Sequence, residues 1–246
     1  MKSWQKAKNL VKYIVRKYFG YDLSVLKIKL SEDYLEQKKL FASAPAGIIF
    51  DVGANAGQTT HKYRKMFPKA SIHGFEPFPR MFGEYVESVH GDKKVHCVNI
   101  ALSNQNGTAE FFVNSFHGCN SLLQNNEEFT KGKDAFQKMG KIEVNTETLD
   151  SYCEKNKIER INILKMDVQG GELLVLQGTE KMLSNKKIDL IYTEVMYMEV
   201  YKNQPLFSDI KKFLEQFGYR LHKSYGLIDK KTGQPTDGDV IFIKYE

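Results

Sequence analysis

From Gly47 onward the chain alternates between two rhythms. Runs of consecutive apolar and β-favouring residues, "IIFDV" at Ile48–Val52, "SIHGFE" at 71–76, "VHCVNI" at 95–100, "INILKMD" at 161–167 and "IDLIYTE" at 188–194, predict strands buried on both faces. At 58–66, 80–89, 171–183 and 206–217 the apolar positions recur three and four apart and predict helices. Strand and helix in alternation predict an α/β fold, with a mostly parallel sheet covered by helices on both faces. Two closing runs, "YRLHKSY" at 219–225 and "DVIFIKY" at 239–245, flank a connection containing Gly, Pro and Asp with no room for a crossover helix. They predict an antiparallel hairpin.

One interval departs from this pattern. Residues 107–147 carry strand-like pieces, "TAEFFVN" and "KIEVNTE", around the polar stretch "SFHGCNSLLQNNEEF". An open α/β sheet binds its ligand at the carboxyl ends of its strands, so a β-rich insertion there is expected to act as a lid over the pocket. The domain organisation follows: a leader and N-terminal helical segment over 1–46, then one domain over 47–246 with its lid at 107–147.

The charge changes the picture at one end only. The chain has 36 Lys and Arg against 30 Asp and Glu, and six of the basic residues (Lys2, Lys6, Lys8, Lys12, Arg16, Lys17) stand in residues 1–19 with no acid among them. The remainder is formally neutral, which argues against a nucleic-acid partner. Trp4, Ala7, Val11, Ile14, Val15 and Tyr18 would share one helical face of that leader. Three contacts for this face stay open: an anionic membrane surface, a partner helix, or the chain's own domain. The N-terminus lacks the pattern of a secretory signal, and no apolar run is long enough to span a bilayer. A cytoplasmic protein is expected, with peripheral contact at the inner face of the membrane as one role for the leader. Cys97, Cys119 and Cys153 have no CxxC spacing, so reduced structural thiols are expected.

The candidate chemistry begins at the first strand-to-helix turn, "FDVGANAGQTT". A dinucleotide fingerprint would need glycines at positions that here hold Gly53, Asn55 and Gln58, and no P-loop lysine follows. Asp51, at the end of the strand, would repel phosphate and attract a cation or ammonium group. A nucleoside that carries an amino acid, S-adenosylmethionine, meets that demand. Gly53 and Gly57 would allow close approach of the backbone, and Asn55 polar contacts. Glu76 ends the second strand, where an acid bonds ribose hydroxyls in nucleoside-binding α/β folds.

Together with "GFEPFP", "VNIALSNQNGTAEFF", "TLDSYC", "INILKMDVQGGELLVLQG" and "TEVMYMEVY", this turn resembles the FkbM-type family of S-adenosylmethionine-dependent methyltransferases from about residue 47 to 218. "LKMDVQGGELLVLQG" is the most specific match. The resemblance implies the class I (Rossmann-like) methyltransferase sheet of seven strands with the last antiparallel, and O-methyl transfer, often to a sugar hydroxyl. It also implies that Asp51, Gly53, Asn55 and Gly57 hold the methionine end, Glu76 the ribose, and Ala101, Leu102 and Ser103 the adenine. Ala54, Pro77 and Asp167 complete the expected cofactor-binding set.

Methyl transfer from a sulfonium depends mainly on alignment, but a sugar hydroxyl gains from a general base. Asp167 and Glu194 end the fourth and fifth predicted strands and are the expected catalytic acids, with His117 of the lid a further catalytic candidate. Glu172 divides between a helix N-terminal role and an active-site role. The other histidines read as ordinary helix or strand residues. Asp167 and Glu194 offer oxygen ligands that suit magnesium or calcium, yet two strand-end carboxylates do not by themselves predict a metal. The expected acceptor is a sugar of a glycan or glycolipid; a non-sugar small molecule and a cofactor-binding module without turnover are the competing readings.

Overall fold

The computed structural model describes residues 30–228 and 235–245, so the predicted leader helix in 1–19 lies outside the described residues. The chain runs α1 (Glu32–Leu40), β1 (Ile48–Val52), α2 (Gln58–Met66), β2 (Ser71–Phe75), α3 (Pro79–Ser88), β3 (Val95–Val98), β4 (Ala101–Leu102) and β5 (Gly107–Asn114). There follow α4 (Glu127–Thr130), β6 (Lys138–Glu147), α5 (Leu149–Lys155), β7 (Ile161–Met166), α6 (Glu172–Gln177), α7 (Glu180–Ser184), β8 (Ile188–Met196), α8 (Phe207–Gln216), β9 (Tyr219–Ile228) and β10 (Pro235–Lys244).

Seven strands form one sheet in the order β3-β2-β1-β7-β8-β10-β9. The pairs β1·β2, β1·β7, β2·β3 and β7·β8 are parallel, while β10 runs antiparallel to both neighbours. The predicted hairpin is therefore present. Alternate residues of each central strand feed opposite faces, as the two-residue period of a strand requires. Phe50, Val52, Leu164 and Met166 pack with α5, α6, α7 and α8 through Leu149, Val175, Leu183 and Leu214. Ile49, Ile72, Ile163 and Leu190 pack on the other face with Tyr34 of α1 and with Tyr63 and Met66 of α2.

The predicted helix over 171–183 is broken into α6 and α7. Gly178 (ψ 7°) and Thr179 (φ −123°) leave the helical conformation, and a β-carbon on Gly178 would stand 2.0 Å from the carbonyl oxygen of Ser103, so only glycine fits at the break. Strand β8 runs two residues beyond its apolar pattern, because β10 continues to pair with it through Asp237 and Met196.

Residues 107–147 supply two strands of a second sheet of order β4-β6-β5, and β4, which precedes them, supplies the third. Its long arms β5 and β6 are antiparallel from Gly107 opposite Thr146 to Asn114 opposite Lys138. The connecting segment folds back, with Ser121 bridged to Phe112. It meets the large sheet at the carboxyl ends of β1 and β7, where successive crossovers leave in opposite directions. Open α/β sheets take their ligands at this switch point.

Candidate active site

A pocket of about 690 Å3, its mouth included, opens at this point. Among the expected site residues, Gly53, Asn55, Glu76, Pro77, Ala101, Leu102, His117 and Asp167 line it. Five others stand apart, each for a physical reason.

Asp51 does not reach the pocket. It is fully buried, its Oδ1 is 3.0 Å from Lys165 Nζ, and its Oδ2 accepts a hydrogen bond from the Thr60 hydroxyl at 2.7 Å. The ammonium it was expected to greet is supplied from within the fold. Lys165 also donates to the carbonyl oxygens of Val52 and Gly53, at 3.3 and 3.0 Å. Burial pulls the Lys165 ammonium down, but Asp51 and then Asp167 outweigh it and hold it charged above its ordinary range. The buried pair thus anchors the turn that begins at Gly53.

Gly57 has φ +89°, and a β-carbon there would meet the side chains of Ser88 and Tyr85 at 2.7 Å. It is a glycine for helix packing rather than for contact with a ligand. Ala54 is buried against Tyr85 and Val89 of the same helix. Ser103 is buried beside the pocket, its N–H donating to Glu147. Gly53 lines the pocket, yet its first constraint is also internal: at φ +74°, a β-carbon would lie 1.9 Å from the Asp167 carbonyl oxygen.

Glu194 does not line the pocket either. Gln169 Nε2 stands between it and Asp167, donating to Glu194 Oε2 at 2.8 Å and to Asp167 Oδ1 at 3.0 Å. The Tyr201 hydroxyl donates to Gln169 Oε1 at 2.9 Å, which fixes the amide's orientation. Burial, reinforced by Asp167, pushes the Glu194 carboxyl well above the usual carboxylate range. Glu194 is thus joined to Asp167 only through the Gln169 amide, behind the pocket lining. The amide N–H group occupies the place between the two carboxylates that a bridging cation would take. Among the described residues, no group of three or more His, Cys, Asp or Glu gathers to hold a metal.

Asp167 keeps its expected place. It follows β7, lines the pocket, and its side chain is 46% exposed with Oδ2 4.0 Å from Lys165 Nζ. Glu172, the residue with two readings, takes an internal one. It is buried, its Oε1 accepts from the Val168 N–H at 2.9 Å, and burial pushes its carboxyl up to about 7. It staples the 167–171 loop, in which Gln169 (φ 56°) and Gly170 (φ 93°) take the left-handed conformation.

His117 lines the pocket, where it is placed for either of its expected roles, base or substrate contact. Asn55 Oδ1 accepts from the Ala56 N–H, so Asn55 Nδ2 is the donor to His117 Nδ1 at 3.1 Å. With Nδ1 accepting, His117 Nε2 is the nitrogen left to donate into the pocket. His73 is structural, as expected: it is buried, bonded to the Tyr152 hydroxyl and pushed down to about 4 by burial.

Glu76 is only 6% exposed. Its two oxygens accept the N–H groups of Asn55 and Phe78 at 2.9 Å, and each oxygen retains a lone pair for a ligand hydroxyl. Burial pushes its carboxyl up to about 7, against the lowering effect of those two donors. Beside it Phe75, Ile100 and Leu102 form an apolar wall. This is a fit to a ribose and an adenine: acceptor oxygens next to an apolar slot, with no lysine or arginine in the lining to hold a phosphate. Sequence reasoning missed Lys165, Gln169 and Asn120. The first two stand within the motif "LKMDVQGG", where only the spatial approach of Asp51 and Glu194 reveals their work.

A seven-stranded sheet with β10 reversed, an acid ending β2, and a pocket at the β1–β7 switch point together define a class I methyltransferase. The sequence pattern described as the Methyltransferase FkbM domain matches residues 51–221, and the chain belongs to that family, with S-adenosylmethionine as its cofactor. It is 29% identical over 166 residues to the 2-O-methyltransferase NoeI of Sinorhizobium fredii (strain NBRC 101917 / NGR234), covering 65% of this chain and 68% of that protein. It is 27% identical over 184 residues to Methyltransferase 1 of Beauveria bassiana (strain ARSEF 2860), covering 70% of this chain and 71% of that protein. Aeropyrum pernix fibrillarin, solved in complex with natively bound S-adenosyl-L-methionine, covers 84% of this chain and 73% of its own, at 14% identity and a TM-score of 0.44.

Proposed function

We propose that this methyltransferase acts on a hydroxyl oxygen, on a sugar of a glycan or glycolipid, in the cytoplasm and without a nucleic-acid partner. The observation that carries the reading is Asp167: a half-exposed carboxylate in the pocket lining, with one oxygen tied to Gln169. S-adenosylmethionine, when bound, supplies an electrophilic methyl group carried on a sulfonium. Asp167 Oδ2 accepts the proton of the acceptor hydroxyl, an assistance of about a hundred- to ten-thousand-fold for a general base. Glu76 and the apolar wall hold the nucleoside, and the His117 Nε2–H and the Asn55 amide offer polar contacts under the lid. The 2-O-methyltransferase relative supports the choice of oxygen. The six basic residues of 1–19 support a further element: the leader keeps the enzyme near lipid-linked acceptors at an anionic membrane.

The test combines two measurements. Purified protein, S-adenosylmethionine and a panel of saccharides should yield S-adenosylhomocysteine and a methyl ether by mass spectrometry. Asp167→Asn should lower kcat at least about a hundredfold while calorimetry finds S-adenosylhomocysteine bound as before. Methylation at nitrogen alone, or full activity of Asp167→Asn, refutes the proposal.

A further inference from the structure

The lid turn contributes one polar group that the site as described leaves unused. Asn120 lines the pocket and is 7% exposed. Its Oδ1 accepts the Asn114 N–H at 2.8 Å, so the amide cannot flip without setting donor against donor. The other half of the amide, Nδ2, is buried with no hydrogen-bond partner. A buried donor left unpaired costs about 1–3 kcal/mol, and in a pocket the natural remedy is an oxygen brought by the ligand.

The neighbours of Asn120 say which ligand. Ser121 Oγ donates to the Gln169 carbonyl oxygen at 2.7 Å, which ties the turn to the loop that carries Asp167. The Cys119 carbonyl oxygen lies 3.2 Å from the Tyr201 hydroxyl, whose proton is shared with Gln169 Oε1, so the turn also packs on the residue that orients Gln169. The nucleoside wall of Glu76, Ile100 and Leu102 is reached from other elements. Four residues back, the Phe116 ring is 54% exposed, its centroid 5.2 Å from that of His117. A β-carbon on Gly118 would come within 2.6 Å of this ring, so Gly118 makes room for it.

We infer that the turn 116–120 is the acceptor-recognition element, with the Asn120 Nδ2 group donating to a ring or hydroxyl oxygen of a pyranose and Phe116 stacking on its C–H face. The inference rests on the sugar reading above and deepens it. A pyranose presents oxygens at its edge and C–H groups on its face, so its edge would meet Asn120 in the pocket and its face Phe116, which stands outside the lining on the same turn.

The experiment uses the full chain, a panel of methyl pyranosides and short oligosaccharides, and S-adenosylhomocysteine as the cofactor probe. Asn120→Asp keeps the oxygen that serves Asn114 and replaces only the donor. It should raise the acceptor KM about tenfold to a hundredfold, with the Kd for S-adenosylhomocysteine within about twofold of wild type. Phe116→Ala, at an exposed ring that folding does not need, should raise the acceptor KM about threefold to tenfold, and Phe116→Trp should restore it. If the wild-type protein binds S-adenosylhomocysteine but methylates no saccharide, the sugar reading and this inference both fall. If wild type turns over and either Asn120→Asp or Phe116→Ala leaves the acceptor KM unchanged, this inference alone is overturned. Weakened S-adenosylhomocysteine binding by Asn120→Asp likewise overturns it, and assigns the donor to the cofactor.

Discussion

Glu76 and Lys165 show how burial sets the chemistry of single residues. A carboxyl raised from 4.5 to about 7 stabilises the fold in its protonated form; that contribution is complete below pH 4.5 and is lost as pH rises through 7. At about 1.4 kcal/mol per pKa unit, the buried carboxylate costs the unliganded protein roughly 3 kcal/mol at pH 8. Glu76→Gln sets its amide NH2 against one of the two backbone donors at every pH, so in urea melts its stability relative to wild type should be clearly better at pH 8 than at pH 5. The same variant should weaken S-adenosylhomocysteine binding at least about tenfold, since an amide offers a ribose hydroxyl one acceptor oxygen in place of two. A difference from wild type that is the same at both pH values would refute the raised carboxyl, and unchanged affinity would remove Glu76 from the ribose role. Lys165→Met leaves Asp51 charged in a fully buried site and should destabilise by about 3–5 kcal/mol. The double variant Asp51→Asn with Lys165→Met should recover much of that loss, because no lone charge remains. A double variant as unstable as the sum of the two single ones would show that the pair is not coupled.

The loop between β7 and α6 is the element on which the chemistry rests. Its backbone is pinned by Glu172 to the Val168 N–H, and its side chains by the Tyr201–Gln169–Asp167 series. The Ser121 hydroxyl ties it to the lid. Gln169→Leu removes the donor that aligns Asp167 and leaves Glu194 without its partner. We expect kcat to fall at least about tenfold with the acceptor KM changed less, a split that general loss of structure would not give. Steady-state kinetics with thermal melts of the same protein check this; a KM effect with normal kcat would count against a positioning role. The strand-helix alternation and the closing hairpin were legible in the apolar pattern because those elements bury whole faces. The close approach at Gly178 was not legible, since the backbone it meets is that of Ser103, 75 positions earlier in the chain.

At the scale of the whole molecule, the folded body extends beyond the family match. The family match begins at residue 51, after α1. Helix α1 nevertheless belongs to the body: Tyr34 packs edge-on against Tyr63 and Tyr192 at 5.6 and 5.5 Å, and Gln37 accepts from the Tyr63 hydroxyl. Among the described residues no helix is long and apolar enough to cross a membrane. Contact with a bilayer would fall to residues 1–19, where each Lys or Arg near an anionic surface contributes about 1 kcal/mol. Deleting residues 1–19 should abolish sedimentation with phosphatidylserine vesicles and leave turnover on a soluble saccharide unchanged. Undiminished sedimentation would refute the membrane role.

The sequence by itself determined the α/β order, the family, and the position of Glu76 and Asp167 at strand ends, because periodicity and local motifs encode which residues share a strand and where it stops. What only the tertiary structure decided is which charges are already answered. Asp51 meets Lys165 across 114 positions and Glu194 meets Gln169 across 25, so two carboxylates that look free in the chain are spoken for in the fold. Asn120, an unremarked amide in a polar loop, is instead left with a donor unpaired in the pocket. Electrostatic and hydrogen-bond partnership depends on distances of a few ångströms between remote segments, and no local pattern carries that information.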